Sequence, residues 1–309
     1  MKKVLDIIIL LLAIVLIFIL VYPQYKASRP TIARIGCDLS ISSLPLLVAE
    51  EQGFFKTQKV EAQLVFYDDP EKALKDLFTD TIQCGIFPWS SILKRTAENE
   101  SVKVFLSEEF REAVPIGVIV TKRGSRIKLP EDLKGKRLGI PLWFKGIIPY
   151  LIPGAEVVEE KPEKLLSLLD KGEVDAILLL EPYRTLAIER GLQVVEDAPF
   201  SLLLTPFPAN GIGVSSRFLY KNKRGVKRMV IALDNALGFI GKNPDKARAI
   251  LAKYLKVKEG GSFNLPRFQR LSEIDIPNIQ SLSTRLEEKG YLSKPVNPKS
   301  LTVPPILLH

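Results

Sequence analysis

The chain has 309 residues, of which 46% are hydrophobic and 26% charged, and its formal net charge is +9. This composition is typical of a globular protein and excludes disordered, collagen-like and coiled-coil chains, while the length corresponds to about two domains. The single His is the last residue and only two Cys are present, so we expect no zinc site, no catalytic triad and no cofactor.

The first predicted element is an unbroken apolar run over residues 7–21, preceded by two lysines. Its length fits both a membrane-spanning helix and the apolar part of a secretory signal. No small-residue cleavage site follows directly, and residues 1–30 are therefore interpreted as a signal-anchor or a signal peptide. Either alternative predicts an extracytoplasmic protein, anchored to the membrane through residues 7–22 or secreted after cleavage.

From residue 31 onward, short β-branched runs alternate with helical patterns. This alternation predicts a mostly parallel sheet with helices on both faces. The predicted strands of this first unit are 34–39, 60–67, 81–87 and 102–106, and the predicted helices are 44–52, one that begins at Pro70, and 88–97.

A strand over residues 116–121 leads into a second unit of the same kind. Its predicted strands are 137–140, 156–159, 175–180 and 192–195, and its predicted helices are 144–151, 162–170 and 183–189. A strand over 211–216 then returns to the first unit, followed by helices at 226–241, 245–255 and 277–289. The pattern predicts an α/β clamshell, with lobe I formed by residues 31–118 and 214–309 and lobe II by residues 119–213.

Two further features of the sequence concern charge and cysteines. The densest basic cluster interleaves with apolar residues at helical spacing, which indicates a solvated helix face and gives no reason to expect a nucleic-acid partner. Cys37 and Cys84 fall on strands predicted to be neighbours. Export would permit a disulfide between them, but buried free thiols are the favoured state.

Several phrases of the sequence resemble the periplasmic substrate-binding proteins of ABC importers, in the group for nitrate, sulfonates, taurine and thiamine precursors. They are LLVAEEQGFF at 46–55 followed by VEAQLV, DLKGKRLGI at 132–140, KGEVDA at 171–176 followed by EPY, and LEEKGYLSKPV at 286–296. The resemblance spans residues 31–300. It implies a type II binding-protein clamshell that catches one small ligand between its lobes and delivers it to a membrane permease with its ATPase.

The sequence departs from this group at two loops. The second-lobe position where the group has a Ser/Thr-Gly pair reads PLWFKG at 141–146, and the small residues of the first-lobe loop are replaced by PWSS at 88–91. Both changes favour a larger, partly flat ligand, of sulfonate, pyrimidine or aromatic type, over a nitrate-sized anion.

The candidate ligand-binding residues follow from the rule that ligands bind beyond the carboxyl ends of parallel strands, near helix N-termini. This rule selects the loops at 38–43, 88–91, 142–145, 181–183 and 208–210. The candidates within them are Asp38, Ser40, Ser42, Trp89, Ser90, Ser91, Trp143, Lys145, Glu181, Tyr183 and Asn210.

Each candidate role has an ordinary structural alternative. Trp89 and Trp143, one in each lobe, could face each other across a flat ligand, or each could cap the core of its own lobe. Glu181 could accept a hydrogen bond from the ligand, or pair with an Arg or cap a helix. Lys145 could attract an anionic ligand or be merely solvated, the serines could be N-caps, and Asn210 could serve a turn.

The sequence therefore favours a solute-binding protein that needs no catalytic group. The alternatives are an enzyme built on the same clamshell and a sensor that signals ligand occupancy to a partner.

Overall fold

The computed structural model describes residues 10–12, 14–19, 29–257 and 262–304. Residues 10–12 and 14–19 are helical and exposed, and the rest of the apolar run at 7–21 lies outside the described residues. Within the described ranges, no helix has both the length and the apolar character that crossing a membrane requires. The anchor or signal predicted at residues 1–30 stays a prediction.

The strands β1 to β11 make up two sheets. They are Thr31–Cys37, Val60–Phe66, Cys84–Pro88, Val102–Phe110, Gly117–Thr121, Arg137–Pro141, Glu156–Glu160, Ala176–Leu180, Gln193–Asp197, Phe207–Ser215 and Arg267–Arg270. The α-helices that follow residue 29, α1 to α11, are Leu44–Glu51, Phe54–Thr57, Pro70–Phe78, Trp89–Ala97, Ile148–Leu151, Pro162–Lys171, Tyr183–Glu189, Ser216–Lys221, Lys223–Lys242, Pro244–Leu255 and Ile276–Glu288.

Both sheets follow the same arrangement of strands. The first sheet has the order β11-β4-β10-β3-β1-β2, and the second has the order β7-β6-β8-β5-β9. Three neighbouring strands are parallel in each sheet, β2-β1-β3 in the first and β7-β6-β8 in the second, and a strand that enters from the other half of the chain runs antiparallel beside them. The predicted α/β fold with two mostly parallel sheets is confirmed, with β5, β10 and the short edge strand β11 as the antiparallel strands.

Strands β5 and β10 mark the two places where the chain changes sheets. All of β5 lies in the second sheet and all of β10 lies in the first. The lobe limits predicted at 118/119 and 213/214 fall inside these two strands. The chain instead passes between the sheets in residues 111–116 and 198–206, and the division into lobes stays a prediction.

The prediction of one α-helix over residues 144–151 was wrong. Leu142–Ile147 is a 3-10 helix, and α5 begins only at Ile148. Pro149 explains the break, because proline has no N–H to continue the α-helical hydrogen bonds of the preceding turn. The short strand β11 and the helix α8 were not predicted, since neither has a long apolar repeat.

A continuous hydrophobic core extends from the first sheet into the second. Where the sheets meet, the ring of Phe200 lies 5.0 Å from that of Phe144 and 5.1 Å from those of Phe110 and Phe207. Aromatic contacts of this kind add to the stabilisation from burial alone. The junction between the sheets is therefore packed like an ordinary protein interior.

A buried polar network also links the sheets. The side-chain amide of Asn210 on β10 accepts a hydrogen bond from the indole N–H of Trp143 at 3.1 Å. It donates to Ser42 Oγ at 3.1 Å and to Glu108 Oε2 at 2.6 Å. We call these four residues the inter-sheet network. Trp143 follows β6 of the second sheet, whereas Glu108 and Asn210 lie on strands of the first sheet and Ser42 lies in the 3-10 helix that follows β1.

Within this network, burial raises the pKa of Glu108 to about 8, although hydrogen bonds from Asn210 and Ser42 act in the opposite direction. Its Oε1 atom has no hydrogen-bond partner. The folded protein therefore holds this carboxyl group largely neutral at pH 7, whereas an unfolded chain would ionise it.

The two cysteines lie on neighbouring strands, as predicted, and both are buried free thiols. Burial raises the pKa of Cys84 to about 12, and it also raises the pKa of Cys37. Both thiols are consequently protonated and unreactive in the folded protein.

Strand β1 offers a matched test of the core. Ile35 is fully buried, whereas Ile32 on the same strand is 72% exposed. We expect Ile35→Ala to lower the free energy of unfolding by about 2–5 kcal/mol, because it removes buried methyl groups and leaves a cavity. Ile32→Ala should change it by no more than about 0.5 kcal/mol in urea denaturation of the purified chain. Equal losses in the two variants would contradict the orientation of β1.

The network predicts a pH-dependent effect of Glu108→Gln. Because the pKa of Glu108 is higher in the folded than in the unfolded state, stability falls as pH rises from 4.5 to about 8. The slope is at most about 1.4 kcal/mol per pH unit. The neutral glutamine removes this loss, so the variant should gain stability relative to the parent between pH 5 and pH 8 in urea denaturation. Glu61→Gln on the exposed side of β2 is the control, and a difference that is constant with pH would contradict a neutral Glu108.

Candidate functional site

A cavity of about 310 Å³ lies between the two sheets. Its walls come from the segments that follow β1 and β2 of the first sheet and β6, β7 and β8 of the second. This is the edge at which parallel α/β sheets bind ligands. The lining residues are Asp38, Leu39, Ser40, Tyr67, Asp68, Pro141, Leu142, Trp143, Phe144, Glu159, Glu160, Lys161, Pro162, Glu163, Leu180, Glu181 and Tyr183.

The structure brings some of the candidate residues to this cavity and not others. Asp38, Ser40, Trp143, Glu181 and Tyr183 line it. Those outside the lining are Ser42, Trp89, Ser90, Ser91, Lys145 and Asn210. Three of the five segments predicted as loops thus contribute to the cavity. Residues 88–91, at the end of β3 and the start of α4, and residues 208–210, within β10, do not line it.

The expected pair of facing indoles does not form. Trp89 begins α4 directly after β3, is fully buried, and donates its indole N–H to Ser107 Oγ on β4 at 2.9 Å. Its hydrogen-bond partner therefore belongs to the first sheet, and the indole is part of the buried core. Trp143 is 5% exposed and lines the cavity, with its N–H directed to Asn210.

The four candidate serines have different surroundings. Ser40 lines the cavity, and its Oγ accepts a hydrogen bond from the Ser42 N–H at 3.1 Å, which caps the 3-10 turn Ile41–Ser43. Ser42 belongs to the inter-sheet network. Ser90 and Ser91 on α4 lie near the hydroxyl of Tyr291, and their hydrogen bonding tends to lower its pKa, although burial raises it to about 12.

Lys145 does not line the cavity and pairs with a carboxylate that does. Its Nζ lies 2.7 Å from Glu159 Oε1. This hydrogen bond raises the pKa of Lys145. Lys145, which was a candidate for attracting an anionic ligand, therefore pairs with a carboxylate of the protein instead.

Glu181 makes the contacts of a helix cap and an ion pair. Its Oε2 accepts from the N–H and the hydroxyl of Thr185 at 3.1 and 2.8 Å, and its Oε1 lies 3.2 Å from Arg184. Burial raises the pKa of this carboxyl group, while these partners act to lower it. The carboxylate forms part of the cavity wall, but its hydrogen-bonding capacity is largely used within the protein.

Asp38 is the deepest acidic group of the first-sheet wall, with 5% of its surface exposed. The hydroxyl of Ser43 donates to its Oδ1 at 2.6 Å, and the Asp38 N–H donates to Ser43 Oγ at 3.1 Å. Burial raises the pKa of Asp38, and hydrogen bonds from Ser40 and Ser43 oppose this effect. No lysine or arginine of the described residues pairs with it, so Asp38 is a buried acceptor without a counter-ion.

The lining residues after β2 and at the end of β7 were not among the candidates predicted from the sequence. Tyr67 and Asp68 come from the first of these strands, and residues 159–163 from the second. Lys161 Nζ and Asp68 Oδ2 form an ion pair at 3.1 Å that joins the two walls. The rule of the carboxyl strand ends would have found both segments if it had been applied to these strands as well.

No group of three or more His, Cys, Asp or Glu side chains in the described part of the chain is arranged to hold a metal ion. The cavity lining combines aromatic and aliphatic side chains with carboxylates. Such a site can enclose and orient a small molecule through apolar contact, hydrogen bonding and charge.

Comparisons with known proteins agree with this geometry. The NMT1/THI5 like family model matches residues 40–247, more than half of the 309-residue chain. A relative from Brucella abortus strain 2308, named as a predicted binding protein, is 22% identical over 274 residues, which cover 82% of this chain and 83% of the relative.

Solved structures with the same fold include two sulfonate-binding proteins. The periplasmic aliphatic sulphonate binding protein SsuA from Escherichia coli has a TM-score of 0.66 at 16% identity, covering 91% of this chain and 100% of its own. The alkanesulfonate-binding protein SsuA from Xanthomonas axonopodis pv. citri, bound to MOPS, has a TM-score of 0.70 at 15% identity, covering 89% and 99%.

The periplasmic nitrate-binding protein NrtA from Synechocystis PCC 6803 has a TM-score of 0.66 at 12% identity, covering 91% of each chain. At these identities the likeness establishes a shared fold, that of the periplasmic binding proteins. Because the family model matches more than half of the chain, the chain belongs to the NMT1/THI5 like family.

Proposed function

We propose that this chain is the extracytoplasmic solute-binding protein of an ABC importer. The observation that carries the proposal is the cavity between the two sheets, which both halves of the chain line with the carboxyl ends of their strands. The fold shared with the sulfonate- and nitrate-binding proteins supports it. The protein would capture one small molecule and present it to a permease driven by an ATPase.

Binding in such a cavity favours the arrangement in which the two walls are together. A ligand that touches Asp38 in one wall and Trp143 in the other gains both contacts only when the walls close, so it shifts the population toward the closed state. The ion pair between Lys161 and Asp68 and the hydrogen bond between Trp143 and Asn210 join the same two walls. These protein contacts lower the cost of closure before any ligand arrives.

Binding alone accounts for the site, and we propose that the chain has no enzymatic activity. Glu181 is held by Arg184 and Thr185, and the indole N–H of Trp143 is held by Asn210. Groups fixed in this way orient a ligand, whereas general acid–base catalysis requires a group free to exchange a proton with the substrate.

The proposed location outside the cytoplasm follows from the apolar run at 7–21 together with the periplasmic location named for the structural neighbours. Residues 7–22 would anchor the protein to the membrane or be removed as a signal. An anchored protein would keep its cavity close to the permease, and a cleaved one would reach it by diffusion.

Trp143 provides a direct test of binding in the cavity. We expect a cavity ligand to change the indole fluorescence of the purified full chain, because Trp143 lines the cavity while Trp89 is buried away from it. The panel would contain nitrate, taurine, alkyl and aryl sulfonates, aromatic carboxylates, pyrimidines and aromatic amines. Trp143→Phe should abolish the fluorescence change and Trp89→Phe should retain it.

Calorimetry on variants of the same two tryptophans separates loss of the signal from loss of binding. Trp143→Ala should weaken the affinity of any ligand found by about tenfold, since it removes an aromatic wall of the cavity. Trp89→Phe should leave that affinity unchanged. A ligand whose signal requires Trp89, or a panel without any binding or thermal shift, would contradict the proposed function.

A further inference from the structure

We propose that the ligand is a small organic cation, with a flat or apolar body and a protonated nitrogen that pairs with Asp38. This inference rests on the proposed function and assigns the class of molecule that the same cavity takes. It differs from the anions named for the structural neighbours, sulfonates and nitrate.

The charges around the cavity carry the first part of the argument. Its lining contains the carboxylates of Asp38, Asp68, Glu159, Glu160, Glu163 and Glu181, and Lys161 as its basic residue. Four of these carboxylates have cationic partners, in the ion pairs Lys161–Asp68, Lys145–Glu159, Lys164–Glu160 and Arg184–Glu181. Asp38 and Glu163 form no ion pair with any described lysine or arginine. After all its ion pairs are counted, the cavity lining therefore keeps two carboxyl groups that a cationic ligand can pair with.

The hydrogen-bond donors carry the second part. The indole N–H of Trp143 donates to Asn210, and the hydroxyl of Tyr67 donates to Asp76 Oδ2 at 2.7 Å. The 3-10 turn at Leu142–Ile147 has no side-chain cap that could present a hydroxyl to an anion. An anionic ligand would thus meet carboxylates, and these two donors of the lining, the Trp143 indole and the Tyr67 hydroxyl, are committed to protein acceptors. A ligand that brings its own N–H donors avoids this cost.

The apolar surface defines the body of the ligand. The rings of Tyr67, Trp143, Phe144 and Tyr183 line the cavity, and aromatic faces attract both flat groups and organic cations. The volume of about 310 Å³ lies at the small end of ligand pockets, which restricts the body to about one or two rings. Asp38 lies in the opposite wall from Trp143, so one molecule can contact both.

Three planar molecules of nearly equal shape test the role of charge. Benzamidine is cationic, benzamide is neutral and benzoate is anionic at pH 7. We expect calorimetry on the full chain to give benzamidine an affinity about 10- to 100-fold higher than benzamide, the range for a hydrogen bond to a charged group. Benzoate should bind more weakly than benzamide, because the carboxylates of the lining repel it.

Carboxamide variants locate the charge that is recognised. Asp38→Asn should lower the affinity for benzamidine by about tenfold or more and leave the affinity for benzamide nearly unchanged. Glu163→Gln, at an exposed lining position, should lower the affinity for benzamidine by a smaller factor. This variant should fold even if the substitution of the buried Asp38 prevents folding. The control is Asp245→Asn, because the Asp245 side chain is 95% exposed and lies outside the cavity lining. It should leave every affinity unchanged.

The outcomes separate this inference from the function on which it rests. Tighter binding of benzoate or of any sulfonate than of benzamidine, or no binding of benzamidine at all, overturns the cationic ligand and leaves the solute-binding function in place if another solute binds. Equal benzamidine affinity in the parent, Asp38→Asn and Glu163→Gln also overturns it. Absence of binding by benzamidine and by every member of the fluorescence panel contradicts the proposed function itself.

Discussion

The geometry of the cavity depends on the buried amide of Asn210. This side chain holds Trp143, which follows the second sheet, against Ser42 and Glu108 of the first sheet. Separation of the two walls would leave the carbonyl oxygen of the amide without its donor, at a cost of about 1–3 kcal/mol in a buried position. The amide therefore favours one relative position of the walls, and the contacts available to a ligand follow from that position.

The shared strand order of the two sheets explains why a cavity forms between them. In each sheet an antiparallel strand, β10 or β5, arrives from the other half of the chain and pairs with the third parallel strand, β3 or β8. The carboxyl ends of the parallel strands then meet at the same crevice. The sequence has no recognisable internal repeat, yet backbone topology alone gives the two walls equivalent construction.

Much of the fold could be predicted from hydrophobic periodicity, because burial of one face imposes that periodicity on strands and helices alike. The site was less accessible to the same reasoning. Trp89 and Trp143 both follow a strand, but only the contacts of the folded chain direct one indole to Ser107 and the other to the cavity. Asp68 and Glu159 were missed because their strands, β2 and β7, were not considered. Their part in the cavity follows only from the fold, which places one residue in each wall.

The positions of Cys37 and Cys84 make the two halves of the molecule distinguishable in solution. The sequence contains two cysteines, and both are buried in the first sheet on adjacent strands. A thiol reagent can reach them only when that sheet opens, whatever happens in the second sheet. The rate of thiol modification in the native protein consequently measures the local opening of one half alone, and it does so next to Asp38, where the cavity begins.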